Sequence, residues 1–146
     1  MVDITTSIEI LRPISKLSQY TSNPDNAPEW YVNIKSVEWK TPKPLSVGSQ
    51  IAFIAHFLGK KLSYTYEVIE MTDKKFIMKS SEGPFPMETT YTWDKINENS
   101  TRMTLRNKGN PGGFSKLFSP FMSMMIRKAN LKDLKRLKAI LENDVI

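Results

Sequence analysis

Three features of the chain predict an α+β fold: an alternating opening strand, a central run of short strand patterns joined by tight turns, and one long helical pattern at the end. Strands and helices are segregated along the chain, so the sheet has to bury one face and the last helix has to bury one face. The simplest arrangement is a curved antiparallel sheet of about seven strands wrapped around the long C-terminal helix, with two short helices after the first strand. The 146 residues suit a single domain, expected to span 1–146.

Val2, Ile4, Thr6, Ile8 and Ile10 alternate with mostly polar residues, a period of two that predicts a strand. Pro13 suits the first turn of a helix, where its missing N–H is not needed, and Ile14 to Tyr20 would form that helix. Asn23-Pro24-Asp25-Asn26-Ala27-Pro28 is dense in turn residues and limits a second helix to one or two turns. Strands are then predicted at Trp30–Trp39, Ser49–Phe57, Leu62–Glu70, Lys75–Ser80, Met87–Ile96 and Thr101–Asn107. Their short connections make hairpins rather than crossovers. Gly109-Asn110-Pro111-Gly112-Gly113 ends the strands, and a helical pattern runs from Phe114 to Asn143, with its regular part beginning close to Pro120.

Composition excludes several functions. The chain has no cysteine, which removes disulfides, thiolate metal sites and cysteine nucleophiles. With one histidine as well, no metal and no cofactor is expected. No nucleophile elbow, P-loop, HExxH or dinucleotide fingerprint occurs. The N-terminus lacks a basic start and an apolar core, and no stretch is long enough for a membrane span, so a cytoplasmic protein without stable membrane insertion is expected. The net charge of +6 raises nucleic acid as a partner. Much of the excess, however, lies in Arg127, Lys128, Lys132, Lys135, Arg136 and Lys138, which fit the solvated side of the last helix, and no zinc-finger or RNP-like motif accompanies it. No nucleic-acid partner is expected.

The strand patterns collect large side chains on one face: Leu62, Tyr64, Tyr66 and Val68; Phe76 and Met78; Met87, Thr89, Tyr91 and Trp93; Met103 and Leu105. An apolar face dotted with hydroxyls suits a ligand pocket, and it equally suits a packed core with satisfied hydroxyls. The last helix adds a stripe at Ile126, Asn130, Leu134, Leu137 and Leu141. Traced backward the stripe reaches Ser123 and Ser119, small residues that leave room against a sheet. Phe114, Leu117, Phe118, Phe121, Met122, Met124 and Met125 surround the helix start instead of lining one side. A pocket mouth, a homodimer contact or a lipid-bearing partner would each cover them.

Several short motifs carry a family resemblance. Asn26-Ala27-Pro28-Glu29-Trp30 is similar to an n-x-P-x-W segment, Ser46-Val47-Gly48-Ser49 to a vGs/vGt turn, and Gly59-Lys60-Lys61 to a G-r/k step. Ser100 to Thr104 resembles a g-T-x-v/m-T strand, and Leu134 to Glu142 resembles L-x-x-L-K-x-x-l-E. In this order they resemble the START-like superfamily of polyketide cyclase/dehydrase and lipid-transport proteins, whose fold is also that of the birch pollen allergen. The resemblance covers essentially the whole chain and implies a helix-grip fold with a hydrophobic cavity between sheet and long helix. It supplies no catalytic set, because the family has no universal one.

The expected function is therefore binding or transport of a small hydrophobic ligand such as a lipid, an isoprenoid or a polyketide-like aromatic. The expected cavity lining is Trp30, Phe53, Tyr64, Tyr66, Phe76, Met78, Met87, Tyr91 and Trp93 from the sheet side, with Met122 and Ile126 from the helix. One alternative is a cyclase/dehydrase using His56, the only histidine, with cavity tyrosines. Parity groups His56 with Ala52 and Ile54, and Phe53 with Ala55 and Phe57, without saying which group faces inward. A second alternative is an interaction module working through the Phe- and Met-rich start of the last helix, with a homodimer as one form. Glu88, Asp94, Arg102 and Arg106 share the face opposite the aromatic one, where cross-strand ion pairs account for them.

Overall fold

The computed structural model describes residues 2–57, 59–83, 86–109 and 120–143. The elements are β1 (Val2–Ile10), α1 (Ile14–Ser22), a 3-10 turn (Pro24–Asn26), α2 (Ala27–Trp30), β2 (Ile34–Trp39), β3 (Gln50–Phe57), β4 (Lys60–Met71), β5 (Lys75–Glu82), β6 (Met87–Asn97), β7 (Ser100–Gly109) and α3 (Pro120–Asn143). Seven antiparallel strands form one sheet in the order β1-β7-β6-β5-β4-β3-β2. This is the expected α+β helix-grip fold. The meander follows from the short connections, and only β1 joins a strand far away in sequence.

The sheet curls, and register shifts fall where strands bend. They occur in the β4–β5 pairing at Thr65/Tyr66 and Val68/Glu70, at Ile34/Ser36 in β2, and at Lys95/Asn97 in β6. An extra residue on one strand kinks it and increases its twist. Gly48 adopts φ 95°, which an L side chain rarely accepts, and its N–H donates to Val68 O at 2.8 Å. That turn delivers the chain into β3.

One boundary differs from the sequence expectation. The strand predicted from Trp30 begins at Ile34, because Trp30 closes a short helix instead. Asn23 Oδ1 accepts from Asp25 N–H at 3.0 Å, Pro24 opens the 3-10 turn, and Tyr31 N–H donates to Ala27 O at 2.9 Å. Proline pre-sets helical φ and needs no donor in a first turn, so the Pro24 and Pro28 turns run on through Trp30. As a result Trp30 enters the core from a helix.

The helix α3 lies along β1 and touches α2. Four bonds fix its alignment: Arg127 Nη1 to Thr5 O at 3.0 Å, Lys138 Nζ to Glu9 O at 2.9 Å, Arg12 Nε to Leu141 O at 2.7 Å, and Leu11 N–H to Glu142 Oε2 at 2.8 Å. Residue numbers rise together along both elements, so α3 runs in the same direction as β1. Leu134, Leu137 and Leu141 are buried, whereas Arg127, Lys128, Lys132, Lys135 and Arg136 are exposed. The basic residues thus form a solvated face, as their spacing predicts. The helix α1 packs on β6 and β7, where Trp93 Nε1 donates to Thr21 Oγ1 at 3.0 Å. The segment 110–119 and the side chains of Phe121 and Met122 lie outside the described residues.

Candidate functional site

Register decides which side chains share the inner face. Thr6, Leu105, Tyr91 and Phe76 stand opposite one another across β1, β7, β6 and β5. The next row runs Ile4, Asn107, Thr89, Met78 and Val68. Farther round the curl, Tyr66 faces Ile51 and Tyr64 faces Phe53. Phe53 therefore belongs to the inner face, and the parity left open by sequence is decided. Phe53, Tyr66, Phe76, Met78, Tyr91, Trp93 and Trp30 are buried, while Tyr64, Met87 and Ile126 are half-buried. Met122 was also expected here, and its side chain lies outside the described residues.

The aromatic rings make two groups, one around Tyr91 and one around Tyr66. Trp30 lies edge-on to Tyr91 at 5.7 Å and 4.0 Å from Tyr31, Phe76 is 5.7 Å from Tyr91, and Phe53 is edge-on to Tyr66 at 5.7 Å. Such pairings suit the ring quadrupoles. Trp93 differs from the rest of the expected lining, because its indole N–H is bound to α1 and its role is to seat that helix on the sheet.

Hydroxyls are set among these rings. The Tyr31 and Tyr91 hydroxyls are hydrogen-bonded at 2.5 Å; one O–H serves that bond, and the other has no partner among the described residues. Near the Tyr66 hydroxyl, Thr89 Oγ1 donates to Asn107 Oδ1 at 2.8 Å. Burial raises the pKa of Tyr31, Tyr66 and Tyr91 far above the ordinary phenol value, and the less enclosed Tyr64 is pushed up to about 12. These groups are neutral donors and acceptors across the physiological range.

One carboxyl joins them. Asp133 on α3 is buried and accepts from Val32 N–H at 2.9 Å, tying α3 to the chain just after α2. Burial pushes its pKa up to about 6, against the lowering effects of the Val32 bond, Arg136 and Lys132. It also lies close enough to Tyr31 and Tyr91 to raise theirs. Asp133 lines an open cleft of about 590 Å³ between the residues after α2 and α3, together with Val32, Asn33, Met124, Met125, Lys128, Ala129 and Lys132; none of the sequence-expected lining residues with a described side chain borders it.

His56 stands apart. It is exposed, and its cross-strand partner is Lys61 on the outer face. On that face Asp94 stands opposite Arg102, and Arg106 makes a bidentate pair with Asp3 at 2.8 and 2.6 Å. Among the described residues, no group of three His, Cys, Asp or Glu side chains could hold a metal ion, and no helix is long and apolar enough to cross a membrane.

A family model described as polyketide cyclase/dehydrase and lipid transport matches residues 1–142. The chain belongs to that family. No curated protein matches it by sequence. Among solved structures, a START superfamily protein from Mycobacterium smegmatis is 14% identical, with a TM-score of 0.79, over 99% of this chain and 100% of that one. A Thermus thermophilus protein is 18% identical with a TM-score of 0.81, over 98% and 99%. The ZhuI aromatase/cyclase of Streptomyces sp. R1128 is 10% identical with a TM-score of 0.79, over 99% and 95%. At these identities the structural likenesses establish a shared START-like fold.

Sequence reasoning missed Tyr31 and Asp133. Read as part of a strand, Tyr31 would point away from Trp30; at the end of a helix both rings reach the interior. Asp133 sits three residues after Asn130 and four before Leu137, which puts it on the buried stripe. The signal was an acidic residue at a core-facing helical position.

Proposed function

We propose that this START-like chain binds and carries a small, largely apolar molecule between the inner sheet face and α3. The observation that carries the reading is a buried aromatic inner face with tyrosine hydroxyls set into it, two of them hydrogen-bonded to each other. Each buried tyrosine tip needs a partner, and a ligand carbonyl or hydroxyl can supply one as well as a neighbouring side chain can. In this reading Trp30, Phe53, Tyr66, Phe76, Met78 and Tyr91 form the enclosed part of the lining. Tyr64, Met87 and Ile126 form the less enclosed part. Desolvation of the ligand drives binding at roughly 25 cal/mol per Å² of apolar surface, and the tyrosine hydroxyls orient it.

The family's cyclase/dehydrase activity is a second reading, favoured by one observation. Asp133 is an ionisable group inside the fold beside two tyrosines, whereas His56 is on the outside. An acid–base role in this chain would therefore fall to Asp133.

Native mass spectrometry of the purified protein, with extraction of what co-purifies, tests the first reading. A stoichiometric apolar adduct is expected, lost in a folded Tyr91→Asp variant. A bare mass, with no thermal shift across lipids and aromatic polyketides, would refute it. Turnover of an added polyketide that disappears in Asp133→Asn while binding persists would favour the second reading.

A further inference from the structure

The interior also holds polar atoms that no described protein group satisfies. Trp30 Nε1, Asn130 Nδ2 and Thr6 Oγ1 are buried without a hydrogen-bond partner among the described residues, in side chains only 0%, 7% and 5% exposed. Buried polar atoms in folded proteins are nearly always paired. The other two tryptophans follow that rule: Trp39 Nε1 donates to Asp25 Oδ1 at 2.8 Å, and Trp93 Nε1 donates to Thr21 Oγ1.

The three atoms come from three elements that meet at one level of the molecule. Arg127 is bonded to Thr5 O and Lys138 to Glu9 O, so α3 and β1 advance together. Asn130, three residues past Arg127, lies about 4.5 Å along the helix axis. Thr6, one residue past Thr5, lies about 3.3 Å along the strand. Within the reach of those two long side chains, Asn130 falls near the level of Thr6 where α3 packs on β1. The Val32 to Asp133 bond brings the end of α2, and Trp30 with it, to α3 one turn beyond Asn130. The Trp30 ring also meets Tyr91, which shares the cross-strand row of Thr6.

The chemistry of the three atoms is one-sided. An indole N–H and an amide NH₂ can only donate, the Tyr31–Tyr91 pair keeps one O–H without a partner among the described residues, and the Thr6 hydroxyl can serve either way. The junction is rich in donors, so it suits an acceptor. Asp133, one helical turn from Asn130, disfavours an anion there. Resting on the ligand-binding reading, we infer that the junction of β1, α2 and α3 receives a neutral carbonyl oxygen of the ligand, held by Trp30 Nε1–H and Asn130 Nδ2–H. The preferred ligand class is an apolar, preferably aromatic, ketone or ester, not a hydrocarbon or a fatty carboxylate.

Two probes of nearly equal shape test this on the full chain: 2-acetonaphthone and 2-isopropenylnaphthalene, which carries C=CH₂ in place of C=O. Binding is followed through the three indole N–H signals in ¹⁵N–¹H spectra. The ketone is expected to bind roughly 10-fold tighter or better, since a site with unpaired polar groups discriminates against a guest that cannot pair them. Its binding should move the Trp30 indole proton downfield, while the Trp39 and Trp93 signals stay. Asn130→Leu and Trp30→Phe should each reduce the preference, and the wild-type comparison stands even if a variant fails to fold. Equal affinity for the two probes with an unmoved Trp30 signal would overturn the carbonyl site and leave the cavity standing. A Trp30 indole in contact only with water, unchanged by bound ketone, would also overturn it. Failure of both probes to bind would overturn the cavity and the carbonyl site together.

Discussion

At the residue scale, Asp133 is the most consequential side chain that the aromatic pattern did not reveal. Its folded pKa of about 6 lies above the value of 3.8 expected in the unfolded chain. Between those values the folded state holds a proton that the unfolded state has lost. The stability this group contributes is complete below pH 4 and is lost as pH rises through 6. Asp133→Asn keeps an oxygen for Val32 N–H and carries no charge. At about 1.4 kcal/mol per pKa unit, the rise from 3.8 to about 6 makes the variant roughly 3 kcal/mol more stable than wild type at pH 7.5, with the gap closing near pH 4. Denaturation of both proteins across that range checks it, and a gap independent of pH would refute it. Asp3, Asp25 and Glu142, whose pKa values are lowered, tilt the profile the other way in both proteins and cancel in the comparison.

At the scale of elements, period-two alternation was a reliable guide because one sheet face is buried along almost its whole width. Strand positions and the inward set could be read from it, Tyr64, Tyr66, Phe76, Tyr91 and Trp93 included, while the place of β1 beside β7 could not. What could not be read was the four-residue α2, too short to show a period, and therefore the inward turn of Tyr31. Parity also left His56 and Phe53 undecided, because a strand flanked by apolar residues on both faces has no marked side until its partner is known. Pairing with Lys61 and Tyr64 decided both. The stripe of α3 was legible, and it predicts a mutational cost. Leu137→Ala, at a fully buried position, should lose about 2–5 kcal/mol in urea denaturation.

The contact between β4 and the end of β5 makes a second element-scale prediction. A Cβ on Gly83 would lie 2.5 Å from Tyr64 Cδ1, so the ring packs against bare backbone. Gly83→Ala must displace Tyr64. Overpacking of this kind costs typically 1–3 kcal/mol, and affinity for an apolar probe should change along with stability. An unchanged melting temperature and unchanged probe affinity would show that the Tyr64 ring rests elsewhere.

At the scale of the whole molecule, the sheet is a meander with one exception: β1 leaves the sequence order to pair with β7 along its full length. The helix α3 then lies on β1, so the grip depends on a strand from one end of the chain meeting a strand and a helix from the other. A chain ended at Asn99 would lack both partners of β1. It should show no cooperative thermal transition and weak amide protection even in β3–β6.

That same closure has a consequence during synthesis. Ile4 waits for Asn107, and translation at ~5–20 residues per second leaves the roughly 100 residues between them to be made over about 5–20 s. Through that interval the apolar side of the first strand, Ile4, Ile8 and Ile10, has no sheet to join. For those seconds the newborn chain presents a hydrophobic ribbon of the kind that holdase chaperones recognise.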